Sequence, residues 1–341
     1  MSVVSQRVRL QSHYHIYLTV GISLVVLCCM LSLCLGNYPT SPGTVIQSVL
    51  HPEFHANVLN ILVLSRLPRL IASLTVGAAL STAGLVYQEI FSNSMASPDI
   101  LGVSAGAGCG AAFSIMRGYS FLMTGMFAFF GGLLAVGLTM TVAALFYRSS
   151  RSVSLILGGI VIGGMMNSFL GFMKYTSDVQ QLTSITFWLL GGFDRVQYHQ
   201  LIVAVPLILM GLLILYKLRW RVLMLRNGDE DASNHGIEAV RLRRFVIILS
   251  TVITALSICL SGTVGWIGLA IPNLMRLLSP CCSTHLMSLT IVYGMAFTSA
   301  CDLAARTLSP TEIPVGVLTG SLGAILFITV LILKKRERDH D

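Results

Sequence analysis

Long stretches without a single formal charge constrain this chain more than any motif. Asp, Glu, Lys and Arg are absent from residues 16–36, 70–88, 100–116, 118–147, 152–173, 245–275 and 313–333, and also from 200–216 and 286–301. About 20 apolar residues in a helix cross roughly 30 Å of hydrocarbon, and most of these runs reach that length. In lipid each backbone polar group must find its partner inside its own segment, so the runs predict helices. The balance of 55% hydrophobic to 11% charged residues fits, since a soluble domain carries about 25% charge. The sequence therefore predicts an all-α, polytopic helical membrane bundle.

Residues 245–275 would form a helix of about 46 Å, too long for one crossing. Gly262, Gly265, Gly268 and Pro272 divide the run into a span ending near Ser261 and a short return from Trp266 to Leu278. That makes about ten transmembrane helices, with both termini on one side. With the termini in the cytoplasm, 16 of the 22 Lys and Arg residues fall inside and 6 outside (Arg66, Arg69, Arg117, Lys174, Arg195 and Arg306), as the positive-inside rule requires. The first span is longer than a signal-peptide core and shows no cleavage pattern after it. The charge of +8 belongs to membrane orientation rather than to nucleic-acid binding. Repeats of Gly at intervals of four, at 102, 106 and 110, at 159 and 163, and at 316 and 320, predict close helix contacts.

Several chemistries find no support. All fourteen carboxylates are expected at span ends or in loops, which removes the midplane ionisable group that ion-coupled transporters use. There is no Gly-x-x-x-x-Gly-Lys-Ser/Thr loop, so any ATP must be hydrolysed by another polypeptide. Gly102-Val103-Ser104-Ala105-Gly106 fits a nucleophile pattern, but it lies in an apolar helical run with every His in a loop, tail or span end. The eight Cys residues show no metal-ligand spacing and read as packing residues; neither a metal nor a cofactor is expected.

Residues 217–244 form the most polar stretch. Asn227-Gly228 signals a turn, residues 229–231 are acidic, and Gly236 can end a short helix that starts after the acidic cluster. A compact helix-turn-helix on the cytoplasmic face is predicted, with a solvated topogenic loop as the alternative.

Five segments in order carry a family resemblance. They are Arg66-Leu67-Pro68-Arg69, the segment from Asn93 to Ala107, Trp188-Leu189-Leu190-Gly191-Gly192, the segment from Gly265 to Arg276, and Glu312-Ile313-Pro314-Val315-Gly316-Val317. Together they resemble the FecCD-like permeases of bacterial iron-chelate and cobalamin ABC importers, with Ser94 in place of the family's usual proline and Asn273 in place of its histidine. The resemblance implies a type II ABC importer permease, residues 1–341 forming one transmembrane domain in the bacterial inner membrane. It implies that Arg66, Arg69 and Arg306 meet carboxylates of a periplasmic or lipoprotein substrate-binding protein. Within 217–244, the segment 226–238 is similar to the coupling element that docks on an ATP-binding subunit dimer. Arg226, Asn227, Gly228, Asp229, Glu230, Ala232, His235 and Gly236 are its candidate contacts. A second permease copy, identical or paralogous, would complete a pathway lined by 152–173 and 178–193, with Ser152, Gly191 and Gly192 as gate or lining positions. Iron-siderophore or haem cargo is the first expectation, with cobalamin or an oxyanion such as molybdate as alternatives. An ion-coupled secondary transporter is the competing class.

Overall fold

The structure is a computed structural model that describes residues 3–36, 40–51, 56–145, 151–278, 283–309 and 311–340. In chain order its helices are α1 (Val3–Cys34), α2 (Pro42–Leu50), α3 (Ala56–Ile61), α4 (Leu67–Ile90), α5 (Val103–Met116), α6 (Phe121–Leu145) and α7 (Arg151–Thr176). There follow α8 (Val179–Leu190), α9 (Tyr198–Met224), α10 (Asp229–Asn234), α11 (Ala239–Ser261), α12 (Ile267–Leu278), α13 (Ser283–Thr307) and α14 (Val315–His340). A π-helical stretch, Leu62–Arg66, joins α3 to α4, so Ala56–Ile90 is one continuous rod.

Eight of these elements are long and apolar enough to cross a membrane. The other two expected crossings, α5 and α12, have 14 and 12 residues, about 21 and 18 Å. They are half-spans, and irregular backbone supplies the remainder of each. Before α5 this is the 3-10 turn Pro98–Leu101; before α12 it is the extended stretch 262–266, where Gly262 (φ 66°) caps α11 and Trp266 takes φ 68°. Such backbone is tolerated at membrane depth where it is buried in protein or lines a cavity.

The rod ending in α4 is the axis of the bundle, with most of its α4 side chains buried, among them Ala72, Val76, Ala79, Ala83, Val86 and Tyr87. It packs against α9, α11, α12 and α13. Small residues permit this: a β-carbon on Gly84 would overlap the Gly268 carbonyl, and one on Gly106 the Gly131 carbonyl. Backbone-to-backbone approach of this kind is how helices associate where lipid offers no hydrophobic drive. The outer helices are apolar on the side they leave exposed, as at Leu157, Ile160, Val161, Phe169 and Phe172 of α7 and Ile202, Val203, Leu209 and Met210 of α9.

Helices α1 and α13 run in the same direction. Tyr14 of α1 stacks on His285 at the start of α13, while Ser32 of α1 meets Arg306 at the end of α13. The same end of the bundle holds the start of α1, the end of α14 and residues 217–244; it is called the basic end below.

The polar segment differs from expectation in one respect. Asp229, Glu230 and Asp231 do not precede the short helix but are the first three residues of α10. Gly236 (φ 72°) closes the turn after it, as expected.

Candidate functional site

The end opposite the basic one carries a buried charge cluster. Arg69, on the first turn of α4, donates from Nε to Asp302 Oδ1 at 2.6 Å and from Nη1 to Glu312 Oε2 at 2.7 Å. Arg306, one turn beyond Asp302 on α13, has Nε 3.6 Å from Asp302 Oδ2 and bonds Ser32 through Nη2. Arg66 donates to the Leu33 carbonyl and, at 2.7 Å, to Thr40 Oγ1. Arg66, Arg69 and Arg306 are only 4, 7 and 5% exposed. The three arginines assigned to docking therefore stand together, but as internal links tying α1, α4 and α13 rather than as free surface cations. Asp302 and Glu312 are the partners that sequence reasoning missed; Asp302 sits four residues before Arg306, which was the available signal.

Beside this cluster lies a cavity of about 320 Å³, whose lining includes Arg69, Trp188, Gly191, Gly192, Asp194 and Glu312. Residue Asp178 positions α8 beneath it with a capping box, accepting from Gln181 N at 2.7 Å while Gln181 Oε1 accepts from Asp178 N. Gly191 (φ 69°) turns the chain after α8. Its carbonyl accepts from Val315 N at 3.0 Å, and Gly192 N donates to Ser261 O at 2.8 Å, so the loop is stitched to the ends of α11 and α14. Arg69 thus shares a cavity with Gly191 and Gly192. Ser152 stands apart, in the first turn of α7 near the basic end, and its side chain lies outside the described residues.

At the basic end, Glu89 in the last turn of α4 is the junction. Arg276 of α12 donates from Nη2 to Glu89 Oε1 at 2.8 Å and from Nη1 to Gln88 Oε1. Arg226, at the head of the candidate coupling segment, places Nη1 3.8 Å from Glu89 Oε2. Its carbonyl accepts from Ser92 Oγ at 2.9 Å. Ala232 of α10 is fully buried, whereas Arg226, His235 and Gly236 are exposed and Gly228 is half-buried. His235 Nδ1 lies 2.8 Å from the Asp231 carbonyl. The side chains of Asn227, Asp229 and Glu230 are outside the described residues.

One carboxylate lies in a loop, as expected, but in a loop packed against the side of a helix. Asp99 belongs to the turn Pro98–Leu101, and that turn packs on the middle of α7: a β-carbon on Gly159 would overlap the Ile100 carbonyl, and Gly102 meets Gly163. Gly159 and Gly163 stand about 12 and 18 Å from the start of a helix about 39 Å long. Asp99 is therefore in a loop that runs alongside α7 well inside its ends, because the half-span α5 starts there. It accepts a hydrogen bond from Ser104, whose place in a nucleophile-like pattern is thereby explained as local structure. Both line a cavity of about 300 Å³ with Ser97, Thr254, Gly265 and Trp266.

Half-spans completed by irregular backbone, a charged hub at one end and a polar segment linked to the axial helix at the other agree with what comparisons with known proteins show: this is an ABC importer permease, an integral protein of the cytoplasmic membrane. Residues 24–334 match the FecCD transport family, and the chain belongs to that family. It is 35% identical over 283 residues to a probable iron chelatin transport system permease protein of Helicobacter pylori, covering 83% of this chain and 85% of that one. It is also 35% identical over 275 residues to the molybdate import system permease protein MolB of Haemophilus influenzae, covering 80% of each. A solved metal-chelate type ABC transporter in an inward-facing conformation superposes with a TM-score of 0.83 at 30% identity, over 92% of this chain and 98% of that one. The relatives are transport permeases, a non-catalytic membrane subunit family, and permeases of this kind work with ATP-binding subunits and substrate-binding proteins.

Proposed function

We propose that this chain, a single transmembrane domain, is half of an ATP-driven import gate for an iron chelate, a siderophore complex or haem. The basic end faces the cytoplasm, with both termini. The observation that carries the reading is the link from Arg226 to Glu89 and Arg276. Through it a force on segment 226–238 reaches α4 and α12, and α12 is joined to the half-span backbone that borders the pathway. Two ATP-binding subunits docked on two copies of this segment would switch the pathway between outward and inward access. A second permease copy covers the exposed apolar face of α7, with segments 152–173 and 178–193 and residues Ser152, Gly191 and Gly192 toward the pathway.

The opposite end receives the substrate-binding protein. An approaching carboxylate competes there with Glu312, the partner of Arg69 whose side chain is 34% exposed. An iron chelate is favoured by the name of the Helicobacter relative. Cobalamin and oxyanion cargo are the alternatives, molybdate being the cargo in the name of the Haemophilus relative.

The test is reconstitution in proteoliposomes. The chain alone is expected to neither hydrolyse ATP nor accumulate ferric siderophore, whereas adding its ATP-binding subunit and binding protein produces ATP-dependent uptake. Uphill uptake by the chain alone, driven by a proton or sodium gradient, would refute the reading.

A further inference from the structure

The Asp99 cavity lies between two helices that do different jobs. Its one wall, the turn Pro98–Leu101, rests on α7. Its other, Trp266, packs against α14, where Gly323 leaves room for the indole and Phe327 meets it edge-on at 6.5 Å. Trp266 is held at φ 68°, an unusual backbone for a bulky residue, and remains 42% exposed. Asp99 is likewise exposed toward the cavity. Both residues present surface to the cavity.

Polar groups from three elements line this cavity. Ser104 supplies a hydrogen bond to one oxygen of Asp99, Oδ1. Thr254 of α11, 2% exposed, lines the same cavity and its Oγ1 has no hydrogen-bond partner. Among the described residues, the lining contains a carboxylate, three hydroxyls and an aromatic face but no Lys, Arg or His. Such a set attracts positive charge, and an indole ring adds to the attraction. A volume of about 300 Å³ admits a small cation with its waters or one cationic arm of a larger solute.

We propose that the cavity formed by Asp99, Ser104, Thr254 and Trp266 is a binding station for a positively charged group inside the transport pathway, repelling anionic groups. The proposal deepens the importer reading and rests on it for the word pathway; the site itself does not depend on transport. The positive group is either a free inorganic cation or an ammonium-type group carried by the solute.

The experiment uses the full chain in nanodiscs with Ser97→Cys, which places a thiol in the cavity lining, and mass spectrometry to read modification at position 97 alone. Methanethiosulfonates bearing a trimethylammonium or a sulfonate group are compared at low salt. The cationic reagent is expected to react faster, and Asp99→Asn should lower the cation-to-anion rate ratio about tenfold or more, because one reagent loses an attraction and the other a repulsion. Asp99→Glu should preserve the ratio. Protection by sodium but not by methylammonium assigns the station to an inorganic cation; the reverse assigns it to an organic ammonium group. A ratio unchanged by Asp99→Asn, or no reaction of either reagent at position 97, overturns the proposal. Because no transport is measured, this result and the uptake result can fail independently.

Discussion

Glu89 accepts from Arg276 at 2.8 Å, joining the end of the axial helix to the last turn of the half-span α12. Both side chains are largely buried, at 5 and 15% exposure. Glu89→Ala leaves the Arg276 guanidinium without its counter-charge, and such a change costs about 3–5 kcal/mol. Reduced thermal stability of the purified chain in detergent is the first readout. In the reconstituted importer the same change should lower solute imported per ATP several-fold, because Arg226 loses its carboxylate too. Glu89→Gln should give an intermediate result.

Asp302 is the counter-charge for two arginines at the opposite end. Asp302→Ala should destabilise by about 3–5 kcal/mol and Asp302→Asn by less, since an amide oxygen can still accept from Arg69. Thermal unfolding followed by cysteine exposure would measure this, because Cys301 beside it is buried. Equal stability of Asp302→Ala and the parent would show that the cluster does not hold α4 to α13.

Binding-protein docking makes an asymmetric prediction. Arg306→Glu should weaken association about tenfold or more at low salt, with part of the loss coming from disruption of the cluster. Glu312→Gln should strengthen it, because the half-exposed carboxylate competes for Arg69. Surface plasmon resonance at two ionic strengths distinguishes the two, and weaker binding of Glu312→Gln would count against docking at this site.

Backbone contact between α4 and α12 leaves no room for a side chain. Gly84→Val should cost about 3 kcal/mol or more, at the upper end for overpacked interiors, and reduce yield of folded protein. Gly137→Ala is the control, as nothing lies within 4 Å of its β-carbon. Size-exclusion profiles of the two variants should diverge.

The amino-acid sequence alone determined the class of fold, because crossing hydrocarbon demands long apolar helices and charge at their ends reports sidedness. Glycine spacing announced close contacts, and the ordered motifs pointed to the family. The positions of Arg66, Arg69 and Arg306 at one end were legible too. Their burial was not, since the carboxylates that neutralise two of them come from residues 302 and 312, more than two hundred positions from Arg69. The setting of Asp99 was equally hidden. A charged residue beside a proline looks like a loop, and only the packing of a 3-10 turn on Gly159 and Gly163 sets that loop alongside α7. Apolar length is a property of a segment and can be read along the chain; the depth and pairing of a charge depend on which distant helices approach it, and that is decided by tertiary structure.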